Sequence, residues 1–589
     1  MLKSKDDQMN LNLFQPDMAA WQTSIRENKP IIFFFQDNLC LYCQNFHTIV
    51  INHPKVHEVL RTDFIPIFLD IHRYPEFYDR YYDAVGSLHH FFSVKGSLLG
   101  NCSHSSPQAF LRKLKHLKQF QPKVIDPFPD LQESQTSYTK TISEESKIFH
   151  QKINLIAEIT LSSLLSSYDR SYDGWNLDGI KNHPSKAIEL FLMLYQRSRD
   201  LQLLNIIMPT LRASYKGLYD KKMGGYFECS NRDWNQVVSY QKTIDNNIQT
   251  SRNLFHTYQI TNDSQYLDIV DETLKFCINE LWDESKGLFR YAILAHPEKP
   301  SQMNESFFTR SNCDAANFLL EVDNILKENF GDRDYASLVK HILDVLEKSE
   351  TEFGLPHDLE AERVQYQYLL QDQAAYLELL LNVYSVSGKK FYLQKAEKLI
   401  EIIMKYFIDK KTNLFKDRVS FSQNDFGPLN AILYPVRENA RIIGNFLTYS
   451  FLEMNLAYKE IAKRCATSYY TNFGISRDEP YPPEFVIANQ RLVESPIELI
   501  IIGSNDSSIV QQMVNEIKKI YDPFKIIQIL NPVEDISLIQ KKIPEITDFE
   551  RPVAFIKIEN TVSPPTYYPS EISKILNTLL DAIKVKFQE

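Results

Sequence analysis

The chain has 589 residues, 43% hydrophobic and 12% aromatic, which is ample for globular burial and too long for a single core. Its 65 Lys and Arg against 75 Asp and Glu give a net charge of -10 without a basic block, which argues against nucleic acid or an anionic membrane as partner. The opening "MLKSKDDQMNLNLF" has no apolar signal core, and no stretch approaches the ~20 apolar residues of a membrane span, so a soluble cytoplasmic protein is expected.

In chain order, Trp21 to Glu27 reads as a short helix and Pro30 to Phe35 as a strand. Cys40 to Ile51 suits a helix start, followed by a second helix from Val56 to Arg61. "FIPIFLDI" (64–71) and "HHFFSV" (89–94) are further strands, "KGSLLGN" turns into a fourth, and "PQAFLRKLKHLKQF" is an amphipathic helix. A strand, a CxxC at the next helix start, more strands and a last helix is thioredoxin-like order. "QPKVIDPFPDLQESQTS", rich in proline and polar residues, reads as a linker.

From 145 to 495 apolar positions recur at helical spacing in about twelve long segments. A weak repeat punctuates them at intervals of roughly sixty residues, the length of a helical hairpin with its loops. Asp169-x3-Asp173-Gly-Trp, Asp220-x3-Gly224-Gly-Tyr-Phe, Asp283-x3-Gly287-Leu-Phe and Asp409-x3-Asn413-Leu-Phe share one spacing; Glu350-x3-Gly354-Leu is a worn copy, and "FGISRDEPYPP" near Phe473 lies where a sixth belongs. After a helix such a motif has a physical use. The acid bonds local backbone, the glycine supplies positive φ, and the aromatic folds back onto the core. Six hairpins in a row predict a closed α/α toroid with a central cleft. The tail returns to α/β text: strands "IELIIIGS", "FKIIQIL" and "RPVAFIKI", and helices "SSIVQQMVNEIKKIY" and "EISKILNTLLDAIKVKF". It has no glycine phosphate loop, so nucleotide binding has no support there, and no cofactor is expected for the chain.

Several stretches carry a wider resemblance: Trp21, "ENKPIIFFF", Cys40-Leu-Tyr-Cys43 and "FLDIHRYPEFYDRYY" near the start, then "GLYDKKMGGYFECSNRDW" (217–234), Asp245-Asn246, "YLLQDQAAYLELLLNVY" (368–384) and "YPVRENA" (434–440). With these the chain resembles the spermatogenesis-associated thioredoxin-domain family over nearly its full length. The resemblance implies a thioredoxin-like domain joined to a six-hairpin barrel akin to sugar epimerases and glycosidases, whose relatives bind sugars in the cleft. The expected architecture is therefore multidomain: an N-terminal α/β thioredoxin-like domain (1–122), a linker (123–144), a central all-α six-hairpin α/α toroid (145–495) and a small C-terminal α/β extension (496–589).

Seven cysteines stand at 40, 43, 102, 229, 277, 313 and 465, an odd count that does not suggest a disulfide scaffold. Cys277 and Cys465 read as small buried hydrophobes. Cys40 and Cys43 are the candidate catalytic pair. A sulfur at a helix start meets unpaired N–H groups and the positive end of the helix dipole, which favour thiolate. Three readings stay open for them: a redox dithiol, a structural or vestigial pair, or a zinc clip completed by His89 and Cys102, since His89 stands where the family writes a proline. In the barrel the candidate ligand-binding residues are Asp173, Asp220, Asp233, Trp234, Asp245, Asn246, Asp372, Glu438 and Asn439. Carboxylates serve acid–base or glycoside chemistry, and Trp234 offers a face for a sugar ring. Asp245 and Asp372 also suit helix N-caps. No histidine lies within motif range of these acids, which disfavours epimerase-type chemistry. The expected partners are a disulfide-bearing protein or small thiol at the dithiol and a sugar or glycan in the cleft. A scaffold without catalysis is the third possibility.

Overall fold

The computed structural model describes residues 18–589 apart from Asn38, Cys40, 79–88, Lys95, 103–105, 120–141, 177–178, Asp332, 361–367, 421–428, 430–431, 545–550, Asn560 and Glu589. The interdomain linker read from the sequence lies almost wholly outside the described residues, the exception being its last three, which already begin a helix.

The N-terminal domain runs α1 (Met18–Glu27), β1 (Ile31–Gln36), α2 (Leu41–Phe46), α3 (Pro54–Asp63), β2 (Ile65–Asp70), α4 (Pro75–Tyr78), β3 (His89–Phe92), β4 (Leu98–Cys102) and α5 (Pro107–Gln119). Its sheet has the order β2-β1-β3-β4, with β1 parallel to β2 and the other pairs antiparallel. β1 is central and apolar on both faces because both are covered. Ile31, Phe33 and Phe35 pack with Trp21 and Phe77, while Ile32 and Phe34 pack with Phe46, Leu60, Phe110 and Leu114. This is a thioredoxin-like domain.

Twelve helices follow among the described residues: α6 (Ile142–Ser167), α7 (Ser185–Ser198), α8 (Leu201–Leu218), α9 (Ile244–Thr261), α10 (Ser264–Phe276), α11 (Thr309–Phe330), α12 (Tyr335–Lys348), α13 (Leu370–Ser387), α14 (Lys390–Tyr406), α15 (Val436–Leu452), α16 (Leu456–Asn472) and α17 (Pro483–Val493). α7, α9, α11, α13, α15 and α17 each pack on the next, and α17 returns to α7, closing a ring. Outside it α8, α10, α12, α14 and α16 each back their preceding helix, and α6 backs α17, so the first helix pairs with the last. The result is a six-hairpin α/α toroid.

The sequence repeat lies in the connection from the outer helix of one hairpin to the inner helix of the next. Asp220, Asp283 and Asp409 accept backbone N–H bonds from Lys222, Ser285 and Lys411, each 2.9 Å long. Gly225 takes φ +74°, and a Cβ there would fall 2.3 Å from Cδ1 of Phe276, so no larger residue fits. A second element was hidden in the sequence. The fourth residue of four successive inner helices is an amide whose side chain grips the strand-like residue ending the turn. Asn247 accepts from Tyr226 N (2.7 Å), Asn312 from Phe289 N (2.7 Å), Gln373 from Leu355 N (2.9 Å) and Asn439 from Phe415 N (2.8 Å). Each amide also donates back to that residue's carbonyl. The Asn439 side chain, read in the sequence as a ligand contact, is thus engaged within the fold and also donates to Pro435 O at 2.8 Å.

The C-terminal module comprises β5 (Ile497–Ile502), α18 (Ser508–Lys518), β6 (Lys525–Leu530), α19 (Ile536–Lys542), β7 (Val553–Ile558), β8 (Thr561–Val562) and α20 (Pro569–Gln588). It seats across the C-terminal halves of the inner helices, with Tyr521, Phe524 and Ile526 in the toroid core. No described helix is long and apolar enough to cross a membrane.

Replacing Asn439 with Leu strands the N–H and C=O of Phe415, and a buried group left unsatisfied costs roughly 1–3 kcal/mol. Urea unfolding is therefore expected to show a clearly lowered midpoint for Asn439→Leu. Asp233→Asn, in a surface loop, should stay within about 0.5 kcal/mol of the parent. Equal midpoints for the two variants would contradict the clamp.

Candidate functional site at the domain junction

The N-terminal ends of the inner helices form one mouth of the toroid, and the thioredoxin-like domain sits on it. The two interlock by exchange of side chains. Leu39, in the loop from β1 to α2, is buried in the toroid core, and Leu429 of the toroid packs in the core of the thioredoxin-like domain. Asp37 is buried in the same loop; its Oδ1 accepts from Leu39 N at 2.8 Å and its Oδ2 lies 3.2 Å from His72 Nε2. The other ring nitrogen of His72 meets Tyr291 Oη of the toroid at 3.0 Å. The carbonyl of His72 accepts from His357 Nε2 at 2.8 Å, and His357 Nδ1 lies 2.9 Å from Asp372 Oδ2. Arg73 pairs with Asp358 at 3.3 Å. A polar chain thus crosses the junction from Asp37 to Asp372.

The charges are tuned by this packing. Burial pulls the His72 imidazole down, but the hydrogen bond and charge of Asp37 outweigh it and leave the pKa raised. Burial likewise works against ionised Asp37, and the bond to His72 wins, lowering its pKa. For His357 burial is again overcome, here by Asp372, and the pKa rises to about 9. Burial raises Glu76 to about 7 and raises Asp245, the latter partly offset by the charge of Arg310. Burial pushes the Tyr291 phenol well above its ordinary value, so it serves as a hydrogen-bonding hydroxyl.

Of the residues singled out in the sequence, Asp245, Asp372 and Glu438 come to this mouth. Asp245 is the second residue of α9, not its cap: Thr243 caps the helix through a bond from Asn246 N. Asp245 Oδ1 is sealed from solvent with no protein hydrogen-bond partner. Asp372 is the third residue of α13 and accepts from the backbone N of Arg310 on the neighbouring α11 at 3.0 Å. It also meets His357, a histidine outside the motif range read in the sequence. Glu438 lines a recess of about 20 Å³ with Glu76, Gln371 and Asp417, room for one water.

The others are spent on local structure. Asp220 pairs with Lys242 at 2.7 Å. Asp173 accepts from Tyr168 Oη at 2.9 Å, and Asp233 bonds Asn235 in an outer loop. Asn246 donates to Phe227 O. Trp234 is buried with φ +62° and donates its indole N–H to Tyr172 O at 2.7 Å, so packing has taken the ring proposed for a sugar. A larger cavity, about 300 Å³, lies on the outer wall between α12, α13 and α14, with Lys395 held on Glu350 at 2.8 Å.

Cys40 lies outside the described residues. Cys43 is the third residue of α2 and is buried. His89 is buried, its ring stacked on Phe46 at 4.4 Å, and Cys102 pairs with it across β3 and β4, with its thiol pushed to about 12 by burial. Among the described residues no three His, Cys, Asp or Glu side chains are grouped to hold a metal ion. His72, Tyr291 and His357 were missed in the sequence. The only local hint was "LDIHRYP", a histidine placed just past a strand end.

Residues 18–93 match a thioredoxin-like family. No curated protein matches the chain. Solved structures with a similar outline include a D-mannose isomerase (10% identity, 60% of this chain and 99% of that one, TM-score 0.49). Others are a cellobiose 2-epimerase from Bacillus thermoamylovorans B4167 (13%, 56% and 90%, 0.47) and a family 76 glycoside hydrolase, a mannosidase, from Bacteroides thetaiotaomicron VPI-5482 (12%, 58% and 96%, 0.42). Likeness at this level carries no residue role across.

The pH response of the junction follows from His357. Its folded pKa of about 9 exceeds the ordinary 6.5, so its contribution is complete below about pH 6.5 and is lost as the pH rises through 9. Thermal unfolding between pH 7 and 10 should fall more steeply for the parent than for His357→Gln. Parallel curves would contradict the pairing with Asp372.

Proposed function

We propose that this chain is a spermatogenesis-associated thioredoxin-domain protein whose dithiol, Cys40 and Cys43, exchanges disulfides with a small molecule admitted at the junction of the two domains. One observation carries the reading: the loop leading from β1 to the dithiol is built into the barrel mouth, with Leu39 in the toroid core and Asp37 on His72. A thioredoxin-like centre serving large proteins needs that end free for a substrate chain. Here barrel side chains hold it, which favours a small thiol or disulfide over a disulfide-bearing protein.

In the step, the Cys40 thiolate attacks one sulfur of the disulfide and expels the first thiolate. The Cys43 thiolate then attacks Cys40 of the mixed disulfide and expels the second. Two electrons pass to the substrate, the protein gains one S–S bond, and the two thiol protons end on the released thiols. His72, held between Asp37 and Tyr291, is the group suited to exchange a proton there. Asp245, Asp372 and Glu438 are the proposed polar contacts of the mouth. A second reading, a carbohydrate-binding or catalytically silent barrel with a vestigial dithiol, is favoured by the unpartnered carboxylate oxygen of Asp245.

Mass spectrometry after incubation with glutathione disulfide tests the proposal. Burial holds the Cys102 and Cys277 thiols near 12, which keeps them protonated and quiet. The peptide carrying Cys40 and Cys43 is expected to lose two hydrogens, and to do so much faster than with a folded protein bearing an exposed disulfide. No oxidation by either reagent would falsify the redox reading. A rise in unfolding temperature with sugars, about 2.7 kcal/mol at a hundred times Kd, would support the second one.

A further inference from the structure

The C-terminal module repeats the sheet of the N-terminal domain and the helical connections between its strands, with the single helix α18 standing where the N-terminal domain has α2 and α3. Its sheet order, β6-β5-β7-β8, matches β2-β1-β3-β4, with the first pair parallel and the later pairs antiparallel in both. The registers coincide: Ile31 lies opposite Ile65 and Phe92, and Ile497 opposite Lys525 and Ile558. The helices fall on matching faces as well. α3 and α5 share one face of the first sheet with α4 on the other. α18 and α20 share one face of the second, through Val510, Met513, Ile572 and Leu576, with α19 on the other through Ile539. Strand order, direction, register and layering are independent features, and all four agree.

What differs is the chemistry at the helix start. Ser507 precedes α18 where Cys40 precedes α2, and the third residue of α18 is the core residue Val510 where α2 has Cys43. No cysteine follows Cys465. We propose that residues 496–589 are a second thioredoxin-like domain, free of a dithiol, whose task is to clamp the inner helices at the end of the toroid opposite the first.

The clamp reaches five of the six inner helices. Asp522 pairs with Arg197 of α7 at 3.0 Å, and the carbonyl of Lys518 accepts from Gln259 of α9 at 2.6 Å. Lys518 Nζ donates to Leu320 O of α11 at 2.7 Å. Asn505 donates to Gly388 O at the end of α13 (3.1 Å), and Gln528 to Tyr384 Oη of α13 (3.1 Å) and Leu452 O of α15 (3.0 Å). Lys542 Nζ donates to Phe451 O of α15 at 2.8 Å while pairing with Glu498. Carbonyls in the last turn of a helix have no partner within it and carry its negative end, so the ammonium on Phe451 O and the amide on Leu452 O satisfy what the helix leaves open. The module also buries Tyr521 in the toroid core, its ring 4.6 Å from that of His256.

Hydrogen exchange of the full-length chain tests the clamp, comparing the parent with Lys542→Met combined with Gln528→Leu. Exchange in the last turns of α7 and α9, which neither residue touches, is expected to rise several-fold together with that of α15, while the N-terminal domain keeps its protection. Lys542→Arg alone should stay close to the parent, which separates loss of the cation from general misfolding. A rise confined to α15 would overturn the clamp, and an experimental structure with a different strand order in 496–589 would overturn the second thioredoxin-like fold.

Discussion

Burial of Leu39 in the toroid core is the contact on which the working geometry depends. A fully buried leucine side chain contributes about 1.5–3 kcal/mol, and this one sits directly before Cys40. With Asp37 bonded to His72, and His72 to Tyr291, the loop is fixed at both its apolar and its polar points. The barrel thus shapes the start of the dithiol helix, and a protein without its barrel would present that loop differently. Leu429 makes the reciprocal contact, so the two cores are joined rather than merely adjacent.

The toroid resists distortion for reasons that lie inside it. Four amide clamps tie hairpin joints to the first turn of the following inner helix. Farther along the axis, Arg441 bridges Asp314 and Glu378, and Glu321 holds both His256 and Arg252. Burial alone would favour neutral Asp314, yet Arg441 and Arg310 hold its pKa at about 2. Buried ion pairs add little net stability but make a misplaced helix costly, because one partner would be left as an uncompensated charge. Stiff walls suit a protein that must hold a loop at its mouth in register.

Much of this was readable from the sequence, and the reasons are local. The thioredoxin-like order followed from a six-residue apolar strand leading into CxxC, and the hairpins from helical periodicity and from Asp-x3-Gly turns that close on themselves. The junction was not readable. His72 and Tyr291 are separated by 219 residues, and His357 meets a carbonyl 285 residues away, so no window of sequence joins them. Asn439 was read as a ligand contact from the resemblance carried by "YPVRENA", and its bonds to Phe415, 24 residues away, follow from no local pattern. Asp372 looked like a cap for its own helix and instead bonds the first turn of the preceding inner helix, α11. The likeness of the two end domains escaped notice because it lies in topology, while the residues at the two helix starts have different chemistry.

The most direct measurement compares how fast Cys40 reacts with iodoacetamide and with a bulky maleimide-polyethylene glycol, in the parent and in Leu39→Asp. If the loop is seated in the barrel mouth, the small reagent reacts readily and the bulky one is strongly retarded in the parent, and placing a charge at position 39 removes that difference while the toroid stays folded. Equal reactivity toward both reagents in the parent would show that the dithiol is open to large partners and that the barrel does not hold it.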